Sequence, residues 1–579
     1  MPVQTLRTLS SKALIALAVS LTVPFVIPAP VQADGLAGAY LAGRAATYES
    51  DFSAQAEYYT RALVRDPSNP VLMENVVFAQ LAQGQIKQAI PVAQRLWQME
   101  LRSQAANMVM IADFAQRGAF VDILSRDLSI RDIHPLVDGL LTAWAHMGEG
   151  AVSAAMQSFD TLAKDQNLRP YVLYHQALAL ASVGDYKGAE EMFAADGEQL
   201  TRLSRQSVLA RLQILSQLGE NEKALEVLNG AFGTAFDPAI ADIRSRLVAG
   251  EPLGFSIAST PVEGIAEVFF TMGSALNGQQ PGDYVLMYAR MAAALNPSHV
   301  DAVLLSAELL DDLGRFPLSI ATYKKVPRDH PDYYAAEMGR AEALRRSAKP
   351  DASAEVLNQL AETYPDLPQV HISLGDLLRQ QEDYAGAVKA YDKALALTPE
   401  DASSRWFLYY ARGICHERLD IWDKAEADFR ASLALEPDRP QVLNYLGYSL
   451  VEKRKNLDEA LDMIERAVAA RPDSGYIVDS LGWVLYRLGR YDEAVGHMER
   501  AVELMPVDPV VNDHLGDVFW AVGRKREAEF QWKRALSFIR AGEGDGEADP
   551  DRIRRKLEVG LDVVLAEEGA EPLKVANGG

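Results

Sequence analysis

Ser480-Leu481-Gly482-Trp483-Val484-Leu485-Tyr486-Arg487-Leu488-Gly489-Arg490-Tyr491-Asp492-Glu493-Ala494, followed by Met498, Ala501 and Pro506, decides how this chain is read. Apolar residues recur at helical spacing on both sides of Gly489, and Pro506 closes the second run as a proline beyond a helix end does. The pattern repeats. Gly413, Gly447, Gly482 and Gly516 are separated by 34, 35 and 34 residues, and Ala425, Ala460, Ala494 and Ala528 by 35, 34 and 34. Each unit therefore reads as two amphipathic helices. A small residue sits on the first where the second crosses it closely, and an alanine sits on the second for the same reason; a large side chain at either point would hold the helices apart.

At nearly every signature position this unit resembles the tetratricopeptide repeat (TPR) family. The resemblance implies an all-α fold, a right-handed superhelical solenoid of helix pairs. Leu374-Gly375, Tyr384, Ala387, Tyr391, Ala394 and Pro399 make a second clear unit; Gly413, Trp422, Ala425, Phe429 and Pro437 make a third. Weaker units are marked by Gly273, Ala292 and Pro297 and by Gly314, Phe316, Tyr323 and Pro331. Others begin near Gly43, Gly84, Gly184 and Gly219. Eight glycines and prolines crowd residues 230–264, a density of breakers that marks either a seam between two solenoids or one atypical repeat with long turns. The expected organisation is 1–33 signal peptide, 34–229 N-terminal solenoid, 230–264 loop-rich seam and 265–540 C-terminal solenoid. Residues 541–550 read as an acidic glycine-rich linker, 551–568 as a capping helix and 569–579 as a tail. Ile553, Leu557, Leu561 and Val564 give that helix its apolar face.

Composition excludes other classes. Hydrophobic residues make up 49% of the 579 and charged residues 24%, which describes a folded, soluble chain. Fifty-seven basic against 80 acidic side chains give a net charge of −23, which repels nucleic acid. Residues 1–33 carry Arg7 and Lys12, an apolar stretch from Ala13 to Ile27, and small residues Val31 and Ala33. That order is a secretory signal peptide cleaved after Ala33, so the expected location is the periplasm with no direct membrane anchor after cleavage. Cys415 is the one cysteine; without a disulfide partner it reads as a small core hydrophobe.

No zinc-protease pair, nucleophile elbow or phosphate loop is present, so the chain reads as non-catalytic, with no cofactor and no metal. His514 and Asp517 could offer two metal ligands but lack a third. In tetratricopeptide proteins the first helix of each repeat lines a concave groove. The resemblance carries its ligand-facing positions onto Tyr410, Glu417 and Arg418, then Asn444, Tyr445 and Tyr448, then Tyr476, Asp479, Trp483, Tyr486 and Arg487, then Asp513, His514, Asp517 and Trp520. From these, Tyr448, Asp479, Trp483, Tyr486, Arg487, Asp513, Asp517 and Trp520 form the expected partner-binding face, because aromatics beside hydrogen-bonding groups suit protein recognition. Trp483 and Trp520 serve equally well as packing between adjacent helices.

A narrower resemblance rests on Asn444-Tyr445-Leu446-Gly447-Tyr448, Gly475 to Trp483, Asn512 to Asp517 and Phe530-Gln531-Trp532. These blocks are similar to Gram-negative envelope tetratricopeptide lipoproteins that act as adaptors for a periplasmic carboxyl-terminal processing protease. The resemblance implies a protein or peptide partner, a protease and its substrates among them, although the lipid-bearing cysteine of that group is absent here. A glycan or peptidoglycan module, with sugar rings stacked on tyrosine and tryptophan, is the alternative.

Overall fold

The computed structural model describes residues 35–196, 198–233, 237–539, 548–570 and 572–573. The expected signal peptide, most of the acidic linker and most of the tail lie outside them. Among the described residues the chain forms 32 helices and no strand. Each of the chain's two compact units is all-α, and within them most consecutive helices pack as pairs, with pair packed on pair through the run 368–538. Helix starts are set locally. Asp508 caps the Pro509–Ala521 helix, and Thr260 with Glu263 forms a reciprocal capping box ahead of Pro261.

In the five pairs from Pro368–Gln380 to Lys525–Phe538 the spacing is set at a glycine of the first helix. A methyl group added at Gly375 would lie 2.7 Å from Tyr391, at Gly413 2.8 Å from Phe429, and at Gly447 2.7 Å from Ile464. At Gly482 it would lie 2.3 Å from Met498, and at Gly516 2.4 Å from Trp532. The sequence placed a small residue at the crossing. The structure shows what fills the space it leaves: a large side chain from the second helix. Ala425, Ala460, Ala494 and Ala528 are fully buried on those second helices.

The chain divides into two compact units at Lys325/Val326, and residues 230–264, which read as either a seam or one atypical repeat with long turns, fall within the first. In the first unit the segment after the Pro238–Val248 helix is a fastened crossover. Leu253 is buried, its N–H donates to Ser216 Oγ (2.9 Å), and Gln217 Nε2 donates to its carbonyl (2.6 Å). The crossover delivers the Pro261–Leu276 and Gly282–Leu295 helices onto four earlier ones: Pro70–Ala82, Gln104–Gln116, Pro135–Gly148 and Arg169–Ser182. Gly264 belongs to a helix, where a methyl group would meet Trp144 at 2.3 Å.

Polar bonds lock this closure. Gln104 Nε2 donates to the hydroxyls of Tyr284 and Tyr288 (both 2.9 Å), and Arg290 Nε to the Ala82 carbonyl (3.0 Å). Buried Glu267 accepts from Tyr174 and His299 (both 2.8 Å), while His175 bonds Trp144 and Thr271 (both 3.2 Å). One continuous apolar core from Phe52 to Leu310 results. Four of the earlier helices of this unit therefore spend one side on the chain's own later helices.

Two expectations follow from this packing. Gly516→Ala overpacks against Trp532 and costs about 2 kcal/mol, whereas Gly496→Ala, with nothing within 4 Å, raises stability by ~0.5 kcal/mol through helix propensity. Denaturant midpoints followed by helicity read both, and equal effects would contradict the packing account. The second concerns His299. Burial opposes its charge, but the bond and charge of Glu267, aided by Asp301, hold its pKa above the usual value. A raised histidine contributes stability that is present below about pH 6.5 and lost as pH rises through the raised value. His299→Gln therefore destabilises the first unit more at pH 6 than at pH 9, and an equal loss at both would contradict the pairing. His175, pushed down to about 3 by burial, has the opposite pH sense, so the comparison is made between variant and parent at each pH.

Candidate functional site

In the second unit the first helices of four consecutive pairs are Arg405–Arg418, Pro440–Glu452, Gly475–Arg487 and Pro509–Ala521. Because their spacing is fixed by the glycines, side chains about one repeat apart in sequence come within bonding distance. Tyr445 and Ser449 donate to the Glu417 carboxylate at 2.6 and 2.7 Å. Trp483 Nε1 donates to Glu452 at 2.7 Å, and His514 Nδ1 to Asp479 at 3.0 Å. Over this ladder lies an open groove of about 610 Å³, lined by Glu417, Asn444, Tyr448, Glu452, Tyr476 and Asp479 among others. Tyr476 is exposed, Tyr448 and Tyr445 are half-buried, and Asn444 is buried.

Of the eight residues singled out from sequence, the groove takes Tyr448 and Asp479. Trp483 is buried and stacked, its ring 4.0 Å from His514 and 4.9 Å from Tyr486 and nearly parallel to both. Burial pushes the Tyr486 hydroxyl well above its ordinary pKa, and Arg487 is half-buried beside it. The Trp483 and Tyr486 rings pack between repeats, the second of the two uses open to such aromatics.

Asp513, Asp517 and Trp520 lie at the last repeat, where the C-terminal segment covers them. The expected capping helix is two helices, Pro550–Val559 and Leu561–Glu567, broken at Gly560, whose φ of 87° favours glycine. Lys556 is fully buried, its Nζ donating to Asp513 (2.9 Å) and Asp517 (2.7 Å). Asp517 also accepts from Trp532 Nε1 (2.9 Å), and Trp520 Nε1 donates to Asp562 (2.9 Å). Burial pushes the Asp513 carboxyl up against the opposing pull of Lys556. His514 and Asp517 thus face different partners, and among the described residues no group of three or more histidines, cysteines or carboxylates could hold a metal. Cys415 is buried, its thiol pushed up to about 11 by burial.

Sequence reasoning did not single out Ser449, Glu452, Lys453 or Asp508 in the groove wall. Glu452 ends its helix, and its place was legible only as three residues beyond Ser449 on the same face.

Residues 338–402, 410–475 and 453–509 match the family model described as tetratricopeptide repeat, and the chain carries such repeats there. A TPR repeat-containing protein of Pseudomonas aeruginosa is 29% identical over 160 residues; the match spans 28% of this chain and 26% of that relative. Among solved structures, the Cut9–Hcn1 hetero-tetramer of the APC/C aligns over 90% of this chain and 96% of its own (14% identity, TM-score 0.37). YrrB, described as a TPR protein with an unusual peptide-binding site, aligns over 32% and 93% (22%, 0.27). A tetratricopeptide repeat protein of Parabacteroides merdae aligns over 45% and 98% (17%, 0.37).

Lys556→Ala removes the buried cation that bridges Asp513 and Asp517, leaving the half-buried Arg552 at 3.7 Å from Asp517 as the nearest ion-pair partner. It is expected to cost the last repeat about 3–5 kcal/mol, seen as faster hydrogen exchange in Pro509–Ala521. Unchanged exchange would contradict the buried pairing.

Proposed function

We propose that this chain is a non-catalytic periplasmic adaptor whose second unit holds a polypeptide in the groove along Arg405–Arg418, Pro440–Glu452 and Gly475–Arg487. Tetratricopeptide proteins act in general as protein-binding scaffolds, and this chain carries such repeats. One observation supports the placement. In the first unit residues 261–295 pack on four of the earlier helices, and the last repeat is covered by residues 550–567, while among the described residues the 610 Å³ groove between residues 417 and 511 stays open. The periplasmic part of the reading rests on the order of positive, apolar and small residues in 1–33. A carboxyl-terminal processing protease, with the substrates it is offered, is the partner the motif resemblance favours.

Neither Trp483 nor Trp520 lines the groove, where sugar stacking would rest on tyrosines alone: Trp483 is buried against His514 and Tyr486, and Trp520 bonds Asp562 of the C-terminal segment.

The test is capture from periplasmic extract by the full chain and by a Tyr448→Ala/Tyr476→Ala variant of matched helicity. The expected result is a carboxyl-terminal processing protease, identified by mass spectrometry, held by the parent. The variant should hold it about thirtyfold less tightly, or roughly 2 kcal/mol for the central anchors. Equal capture by both proteins would overturn the assignment of the groove, and a parent that retains Met1 in intact-mass measurement would overturn the location.

A further inference from the structure

The groove wall carries five carboxylates, those of Glu417, Asp420, Glu452, Asp479 and Asp508, against two cations, Arg418 and Lys453. Lys453 is drawn aside, its Nζ 4.9 Å from the centre of the Trp422 ring. What distinguishes these carboxylates is their hydrogen-bond partners. Glu417 accepts from two hydroxyls, Glu452 from an indole, Asp479 from the His514 ring, and Asp508 from the backbone N–H groups of Val510 and Val511.

Among the described residues no lysine or arginine forms an ion pair with any of the five. Elsewhere in the same unit carboxylates are neutralised in place: Asp428 by Arg412, Glu459 by Arg430, Glu337 by Arg340, and Asp513 and Asp517 by Lys556. Uncompensated negative charge is therefore concentrated in one cleft, where low-dielectric walls focus its field.

A second observation points to a ligand in the same place. Asn444 is 7% exposed and lines the groove, yet among the described residues its Oδ1 has no hydrogen-bond partner. A buried amide oxygen left unpaired costs free energy that a donor from a bound chain would recover. A main-chain N–H of an extended segment supplies that donor whatever the sequence, while side chains beside it read the wall.

We propose that the groove selects cationic polypeptide: an extended segment carrying lysine or arginine, its backbone held by Asn444 and its ammonium or guanidinium groups drawn to Glu417, Glu452, Asp479 and Asp508. This rests on the reading of the groove as a polypeptide site and adds its charge preference. The same carboxylates repel an acidic segment, so discrimination comes from both attraction and exclusion.

The experiment measures the full-length protein, by fluorescence anisotropy at low ionic strength, against three labelled nine-residue peptides. Each alternates alanine with lysine, serine or glutamate and is blocked at both ends. The lysine peptide is expected to bind at least about tenfold more tightly than the serine peptide and to weaken steeply with added salt, with the glutamate peptide weakest. Glu452→Gln/Asp508→Asn keeps acceptors for Trp483 Nε1 and the Val510 and Val511 N–H groups while removing two charges. It should cut lysine-peptide affinity by about tenfold, a larger factor than any change for the serine peptide. Asn444→Ala should weaken the lysine and serine peptides by the same factor. Equal binding of all three peptides overturns the charge preference and leaves the groove a polypeptide site; binding of none overturns both readings.

Discussion

The groove of the second unit depends on a contact of van der Waals type: in five successive pairs a large side chain of the second helix is seated over a glycine of the first. Tyr391, Phe429, Ile464, Met498 and Trp532 occupy that seat in successive pairs, each so near that even a methyl group on the glycine would clash. The glycine is constant and its occupant varies in shape and chemistry. What is held fixed is thus the approach of the two helices. With that approach set five times over, successive first helices lie near enough for Glu417 to reach Tyr445 and for Glu452 to reach Trp483. The floor of the groove is a consequence of the glycines.

The same device recurs outside the repeats, wherever the chain closes on itself. Gly264 admits Trp144 where residues 261–276 return to the earlier helices, and Gly560 admits Trp520 where the C-terminal segment folds back. Both closures then bury charge or polarity that must be paired, and both pair it internally: Glu267 with His299 and Tyr174, Asp513 and Asp517 with Lys556. Helix faces that a solenoid would otherwise offer to partners are satisfied within the chain. The groove between residues 417 and 511 differs because Glu417, Glu452 and Asp508 meet neutral donors and Asp479 the His514 ring, and among the described residues the Asn444 oxygen meets none.

The sequence made the pairs legible because a glycine and an alanine at a 34- or 35-residue period leave few other folds. The closures were hidden for a physical reason. Trp144 and Gly264 are 120 positions apart, and a glycine among breakers at 230–264 reads as a turn until the capping box Thr260–Glu263 is seen to start a helix there. The groove face was read one helix at a time, so Trp483 and Trp520 looked available. Their indole N–H groups found carboxylates on neighbouring elements, Glu452 one repeat back and Asp562 beyond the last, and local spacing does not report such partners. Tyr448 and Asp479 sit near the middle of the stack of first helices, away from the covering C-terminal segment.

The central claim is that one groove of this chain is left open for a polypeptide. It is tested most directly by placing a photo-crosslinking amino acid at Tyr476, exposed in the groove, and separately at Tyr48, exposed at the end of the Leu36–Tyr48 helix in the first unit. Irradiation in living cells should give a covalent adduct with a polypeptide from position 476 and none from position 48. An adduct from position 48 with none from position 476 would contradict the claim.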